Sequence, residues 1–333
     1  MMALSTSTMS WLGRGSASVV VVLLLYAVGA LSLDVIVPVW KGSGAQVGVR
    51  VLAAVALGGM SAWAYLVTGL RTSQRRGEAE APHAYRTVKR STGTRRWCSK
   101  CNAPKPDRCH HCRKCGTCIL RMDHHCPWVM DACIGLRNYH AFLLFLWYTT
   151  GLSVYTLYTL VSAFVRLLER DDEDIALPIS WILLAALALI VGMALLPFFL
   201  FHVYLTSANK TTLEYMEGME RVGEENQARD SAPPSSRQRL ANLLTRDADD
   251  EAHEALLPTT SASQLTPAQG QALRKAAARH NLYHVGVAAN WRQVLGRRAW
   301  LWWAPVETPV CDGVHYRVNN ESWVALQGAL RAA

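Results

Sequence analysis

Four apolar runs, each long enough to cross a bilayer, constrain this chain more than any other feature. They are Val19–Val39, Val47–Leu70, Ala141–Leu168 and Ile179–Tyr204. A helix rises 1.5 Å per residue, so about 20 residues cover the roughly 30 Å of hydrocarbon in a membrane. The one charge in the first run, Asp34, sits near its end, where an interface hydrates it. That run is too long for the apolar region of a signal peptide and lacks a small-residue cleavage site. Ala and Gly in the second run suit close helix packing in lipid. Charged residues make up 18% of the chain and hydrophobic ones 51%, which excludes fibrous and wholly disordered classes. The expectation is an α-helical membrane protein with four transmembrane helices.

Charge orients the spans. Arg71 to His140 holds 15 Lys and Arg against five acidic residues, whereas Glu169–Asp174 is short and acidic. The positive-inside rule puts the basic loop, and with it both termini, in the cytosol. The net charge of +9 resides mostly in that loop. It reads as topology and attraction to anionic lipid, with no nucleic acid as partner. Beyond Tyr204, Glu217 to about Gln269 is polar and bears Pro and Ser, and Asn281–Val306 is aromatic, with Tyr283, Trp291, Trp300, Trp302 and Trp303. Such aromatics are membrane-interface anchors by default. The domain boundaries are therefore 1–70 (N-terminal segment and first two helices), 71–140 (cytosolic cysteine-rich domain), 141–205 (last two helices and the acidic lumenal loop) and 206–333 (cytosolic tail).

Eight of the nine cysteines lie between Cys98 and Cys133. A reducing cytosol makes metal ligation the better reading than disulfides. Cys98-x2-Cys101 and Cys112-x2-Cys115-x2-Cys118 have the spacing at which two thiolates grip one tetrahedral zinc. Two closed sites need eight ligands, and the block offers eight cysteines together with His110, His111, His124 and His125. Spacing leaves open which residues are spare and whether the sites follow one another or interleave. A spare cysteine beside a histidine is a nucleophile candidate, and Asp123-His124-His125-Cys126 supplies one. In an extended segment His124 and Cys126 share a face and His125 points away. Pro127 favours that conformation at Cys126. Asp123 can orient His124 only if the chain bends.

The block resembles the cysteine-rich domain of the DHHC protein S-acyltransferases, the palmitoyltransferases. Asp123-His124-His125-Cys126-Pro127-Trp128 is that family's signature, and Cys98 to Cys118, with Lys105-Pro106-x-Arg108-x-His110-His111, follows its pattern. Thr211-Thr212-Leu213-Glu214 resembles the family's TTxE motif. Asn281-x-Tyr283-x-x-Gly286-x3-Asn290-Trp291-x2-Val294 resembles its C-terminal aromatic motif, and 135–146 is most similar to fungal members, including those of the vacuole. The resemblance implies a small cytosolic two-zinc domain between the second and third helices, with interleaved zincs. One would be held by Cys98, Cys101, His111 and Cys118, the other by Cys112, Cys115, His125 and Cys133. Both ions would be structural. It further implies a catalytic set of Asp123, His124 and Cys126, with Thr212 supporting Asp123. Lys105, His110 and Arg96 match positions that face coenzyme A phosphates. Cys109 would be a small filler. The family's pattern has five residues between the signature cysteine and the last ligand. Here there are six, and a bulge among Val129–Ala132 is expected to absorb the extra one.

The implied activity is transfer of a fatty acyl group from palmitoyl-CoA to Cys126, and then to a cysteine of a membrane-associated substrate protein. A thiolate is the nucleophile, so a base beside it raises its reactivity. The expected setting is an endomembrane: Golgi, endoplasmic reticulum or vacuole. A zinc scaffold without turnover has no need of the Asp123-His124-Cys126 set. A transporter would carry repeated buried charges in its spans.

Overall fold

A computed structural model describes residues 6–71, 87–89, 96–169, 178–216, 254–256, 266–306, 311, 313 and 316–333. The acidic stretch 170–174 and most of the polar segment 217–269 fall outside the described residues.

Four helices are long and apolar enough to cross a membrane: Gly15–Trp40, Gly44–Leu70, Tyr139–Leu168 and Ile179–Ser207. They match the four expected runs and extend each by a few residues. The chain is a multi-pass membrane protein. In chain order the first span comprises α1 (Thr6–Ala30), a π-helical stretch Leu31–Ile36 and α2 (Val37–Trp40). The others are α3 (Gly44–Leu70), α4 (Tyr139–Leu168) and α5 (Ile179–Ser207).

The π-helical stretch has a local cause. Pro38 has no N–H to give to the carbonyl four residues back, that of Asp34. Val37 N–H bonds Ser32 instead, and the Asp34 carbonyl accepts the indole N–H of Trp181 at 3.0 Å. A proline and a tryptophan thereby tie the first span to the fourth. Leu31, Val35, Ile36, Trp40, Ala54, Ala163, Trp181 and Leu184 form the core at this end. Further along, the buried hydroxyls of Ser61 and Thr149 meet at 2.6 Å between α3 and α4, so each satisfies the other away from water. Leu25, Val49, Ile190 and Met193 remain exposed, as a lipid-facing surface requires.

The chain divides into two compact units. The first holds 1–72, 126–204 and 298–308, that is, the four spans, the segment after His125 and a short aromatic piece of the tail. The second holds 73–125, 205–297 and 309–333.

The second unit is built from short hairpins. β2 (Trp97–Cys98) pairs antiparallel with β3 (Ala103–Pro104), and β4 (His110–Cys112) with β5 (Thr117–Ile119). β1 (Thr87–Lys89) pairs with β8 (Glu254–Leu256). β6 (His124–Cys126) runs from this unit into the first, where β7 (Ala132–Ile134) lies. The tail adds α6 (Pro267–Arg279) and α8 (Asn320–Arg331) around Leu282, Tyr283, Tyr316 and Leu326, together with α7 (Val287–Leu295).

Candidate active site and metal-binding clusters

Each Cys-x-x-Cys pair closes a tight turn. The Cys101 N–H points at Cys98 Sγ and the Cys115 N–H at Cys112 Sγ, both at 3.4 Å. A left-handed residue follows each second cysteine, Asn102 with φ 47° and Gly116 with φ 66°. That conformation suits Gly and is tolerated by Asn.

Strand alternation divides the ligands. In the β4–β5 register His111 stands opposite Cys118, while Cys112, one residue on, faces Thr117. Neighbours on a strand point to opposite faces, so His111 and Cys112 serve different clusters. His111 Nδ1 lies 3.4 Å from Cys98 Sγ, 3.3 Å from Cys101 Sγ and 3.9 Å from Cys118 Sγ. A tetrahedral zinc with ordinary Zn–S and Zn–N lengths sets sulfur and nitrogen about 3.5 Å apart. This cluster, with all its ligand atoms within 4.8 Å of one another, fits that ion. In the second cluster His125 Nδ1 lies 3.7 Å from Cys112 Sγ and 3.5 Å from Cys115 Sγ, again the separation a zinc requires. Two cysteine/histidine clusters thus have the composition and size to bind zinc.

The thiol chemistry points the same way. Burial, then the neighbouring thiols of Cys118 and Cys98, pushes Cys101 up to about 11. Cys118 is raised as well, by Cys109 first and then by burial. Thiolates crowded together repel one another, and a divalent cation removes that cost. Cys109, fully buried, therefore stands beside Cys118 in the first cluster. Cys133 is a buried residue of β7 in the first unit.

Asp123 and His124 form a dyad. Nδ1–H of His124 donates to Asp123 Oδ2 at 2.7 Å. This bend brings adjacent side chains together, as the sequence required. Thr212 adds two donors, its N–H to Oδ1 at 2.9 Å and its Oγ1–H to Oδ2 at 2.8 Å. With 1% exposure, Asp123 has both of its oxygens satisfied by these donors. It fixes the His124 tautomer, leaving Nε2 as the basic nitrogen. Cys126 closes the same strand, half-buried and with a free thiol.

The TTxE stretch supplies Thr212 for a physical reason. Thr211 Oγ1 accepts the Glu214 N–H at 3.2 Å, and Glu214 Oε2 accepts the Thr211 N–H at 2.9 Å. This is a reciprocal capping box at the start of the helical turn 212–216. The Thr212 N–H, which no helical carbonyl takes, is left for Asp123. Glu214 also receives a bidentate ion pair from Arg108, Nε at 2.7 Å and NH2 at 2.8 Å. Burial works against the charge of Arg108, but Glu214 more than offsets it and holds the guanidinium charged. Arg108 also donates to Asn209 and lies over the rings of Tyr283 and Tyr316, whose phenols burial raises and so keeps neutral.

Arg96 is 3% exposed, and its terminal nitrogens donate to the carbonyls of Pro106 and Cys109 at 3.0 and 2.9 Å, which braces the fold. Lys105 is buried too. Burial, then the charges of Arg96 and Lys105, pushes His110 well below its usual range, so it is a neutral group. Not all the tail aromatics are interface anchors. Trp291 donates to Ser207 Oγ at 3.0 Å, and Tyr283 packs on Arg108 and Tyr316. Asn281 and Asn290 bond the carbonyls of Ala208 and Ser207. This motif is a clasp on the end of α5. Trp300 and Trp303 stay exposed, as an anchor requires.

In the first unit the six-residue connection forms a tight turn. Ala132 N–H bonds the Val129 carbonyl at 3.0 Å, and both central residues are left-handed, Met130 at φ 53° and Asp131 at φ 52°. The expected bulge is thus a turn of the kind whose two middle residues need positive φ. An apolar cavity of about 410 Å³ lies along α4 and α5, with Trp147, Gly151, Val154, Tyr158, Leu196 and Phe199 among its lining residues.

Residues 91–219 match the DHHC palmitoyltransferase family model. The chain carries a DHHC domain. Over 221 residues it is 37% identical to palmitoyltransferase pfa3 of Emericella nidulans, an overlap of 64% of this chain and 38% of that protein. It is 41% identical over 123 residues to human palmitoyltransferase ZDHHC15, covering 37% of this chain and 36% of the relative. To ZDHHC15 of Xenopus laevis it is 31% identical over 225 residues, covering 68% and 51%. The chain thus spans about half or less of the length of these relatives. The DHHC domain takes in both clusters, the Asp123–His124 dyad and Thr212.

Proposed function

We propose that the protein is a protein S-palmitoyltransferase. The observation that carries the reading is the Asp123–His124 dyad, whose histidine begins the strand that Cys126 ends, a cysteine that neither metal cluster uses. His124 Nε2 takes the proton from the Cys126 thiol, and the thiolate attacks the thioester carbonyl of palmitoyl-CoA. The carbonyl carbon passes to Cys126, and coenzyme A leaves as its thiol on taking up that proton. A thiolate of the substrate protein then attacks the new thioester, and Cys126 is released. Both steps exchange one thioester for another, so positioning carries much of the work. Similarity to relatives named palmitoyltransferases supports this assignment.

Cys133 completes the second cluster with Cys112, Cys115 and His125, and two structural zincs hold the domain. The metal stabilises the fold, and the chain's own residues perform the transfer. The acyl tail lies in the apolar cavity beside Gly151, which runs about 16 Å along α4 at 1.5 Å per residue. Lys105, His110 and Arg96 line the coenzyme A side, His110 as a neutral hydrogen-bonding group. Thr212 supports Asp123. Substrates are membrane-associated proteins whose cysteines lie near the bilayer. The positive-inside rule places the zinc domain and both termini in the cytosol, within the linear division 1–70, 71–140, 141–205 and 206–333. The membrane is one of the endomembranes: Golgi, endoplasmic reticulum or vacuole.

Turnover separates this reading from a zinc scaffold. Purified protein in vesicles is given palmitoyl-CoA and a vesicle-anchored peptide bearing one cysteine. Repeated transfer to the peptide, lost in Cys126→Ser, is the expected result. A rate no greater than that of empty vesicles would sink the proposal.

A further inference from the structure

The segment that follows Cys126 is held at several points by one end of one helix. Tyr65 of α3, fully buried, donates its hydroxyl to the carbonyl of Trp128 at 3.0 Å. Its ring packs on Phe145 of α4 with centroids 5.2 Å apart. One helical turn on, the turn at Met130–Asp131 seats against α3 at Gly69. A Cβ there would stand 2.9 Å from Met130 Cβ and closer still to its Sδ, so only glycine leaves room. Across from it, a Cβ at Gly13 of α1 would stand 2.7 Å from the Met130 carbonyl oxygen. Asn138 anchors the far end. Its Oδ1 accepts the Gly135 N–H at 2.8 Å, which turns Nδ2 towards the carbonyls of Thr68, Arg71 and Cys133 at 2.9–3.0 Å.

These contacts have a common sense. A loop of this length is ordinarily mobile, and a thiol that must attack at a set angle does not tolerate mobility. The turn holds two non-glycine residues in left-handed conformations, a cost in free energy that the surroundings must offset. Gly13 and Gly69 are those surroundings.

We propose that the Tyr65–Arg71 end of α3 is the positioning element for the Cys126 thiol, with Tyr65 as the main positioning residue and Gly69 as the seat for Met130. The role in acyl transfer rests on the reading given under Proposed function. Tyr65 acts through the Trp128 carbonyl, two residues beyond the nucleophile.

The test uses the full chain in vesicles, with wild type, Tyr65→Phe, Gly69→Ala and Gly69→Ala/Met130→Gly. Single-turnover acylation of Cys126 by palmitoyl-CoA is measured with zinc content and with the pH profile of Cys126 alkylation by iodoacetamide. Tyr65→Phe should slow acylation at saturating palmitoyl-CoA by roughly tenfold, shift the alkylation profile, and leave the half-saturating concentration and zinc content unchanged. Gly69→Ala should do the same, and adding Met130→Gly should restore much of the rate by emptying the seat. Wild-type rate and alkylation profile in Tyr65→Phe would overturn the proposal. So would loss of zinc in that variant, since its role would then be structural. If wild type itself is not acylated, the proposed function fails, and the alkylation profiles alone decide the positioning role.

Discussion

Thr212 grips both oxygens of Asp123, its backbone N–H on Oδ1 at 2.9 Å and its hydroxyl on Oδ2 at 2.8 Å. The Oδ2 atom that takes the hydroxyl also accepts the His124 Nδ1–H, so Thr212 sets the direction of the dyad. Thr212→Val keeps the shape and the backbone bond and removes one donor. The rate of Cys126 acylation should fall on the order of tenfold, with an unchanged KM for palmitoyl-CoA, and Thr212→Ser should recover most of it. Single-turnover kinetics of the three proteins check this.

The Arg108–Glu214 pair tests a different link, that between the hairpins and the tail of the second unit. Arg108→Met leaves a carboxylate in a largely buried place without its partner, a loss of about 3 kcal/mol or more. Arg108→Lys keeps the charge but not the bidentate geometry and should lose less. Thermal unfolding followed together with zinc release should rank wild type above Lys and Lys above Met. Equal midpoints for all three would mean that the pair contributes nothing to the unit.

Much of this was legible in the sequence because it is local. The four apolar runs and the Cys-x-x-Cys pairs each fit within one element. Which metal takes His111 and which takes Cys112 was not legible from spacing, because strand register decides it. Arg108 and Glu214 lie 106 residues apart, so no window of sequence contains both. Tyr65 and Asn138 left no signal, since they bond backbone carbonyls, which every residue has. Arg96 carries its charge in any sequence, but only the fold reveals that its two terminal nitrogens bond the carbonyls of Pro106 and Cys109.

The metal clusters can be counted. Cys98→Ser and Cys112→Ser should each lower zinc content by about one ion per chain, because closed structural sites lose the ion with a ligand. Cys133→Ser should do the same. Cys109→Ser should keep both ions. Atomic emission on the purified variants reads this directly, and loss of zinc from Cys109→Ser with both ions retained in Cys133→Ser would exchange their assignments.

Acyl-chain selection should depend on Gly151, which lines the cavity between α4 and α5. Gly151→Phe fills that space and should shift preference towards shorter acyl-CoAs in a competition assay. Ser153 meets Gly192 of α5, where a glycine Cβ would stand 3.4 Å from the serine Cβ. Ser153→Phe should therefore disturb helix packing and lower the unfolding temperature. An unchanged chain-length profile in Gly151→Phe would place the acyl tail elsewhere.

The most direct measurement is of the acyl-enzyme itself. Wild-type protein and Cys126→Ser are incubated with labelled palmitoyl-CoA, treated with hydroxylamine, and assayed for label and for zinc. The account predicts a hydroxylamine-sensitive label on Cys126 in wild type, none in the variant, and close to two zincs in both. A label that survives Cys126→Ser, or a zinc lost with it, would contradict the division of this cysteine from the metal ligands on which the mechanism rests.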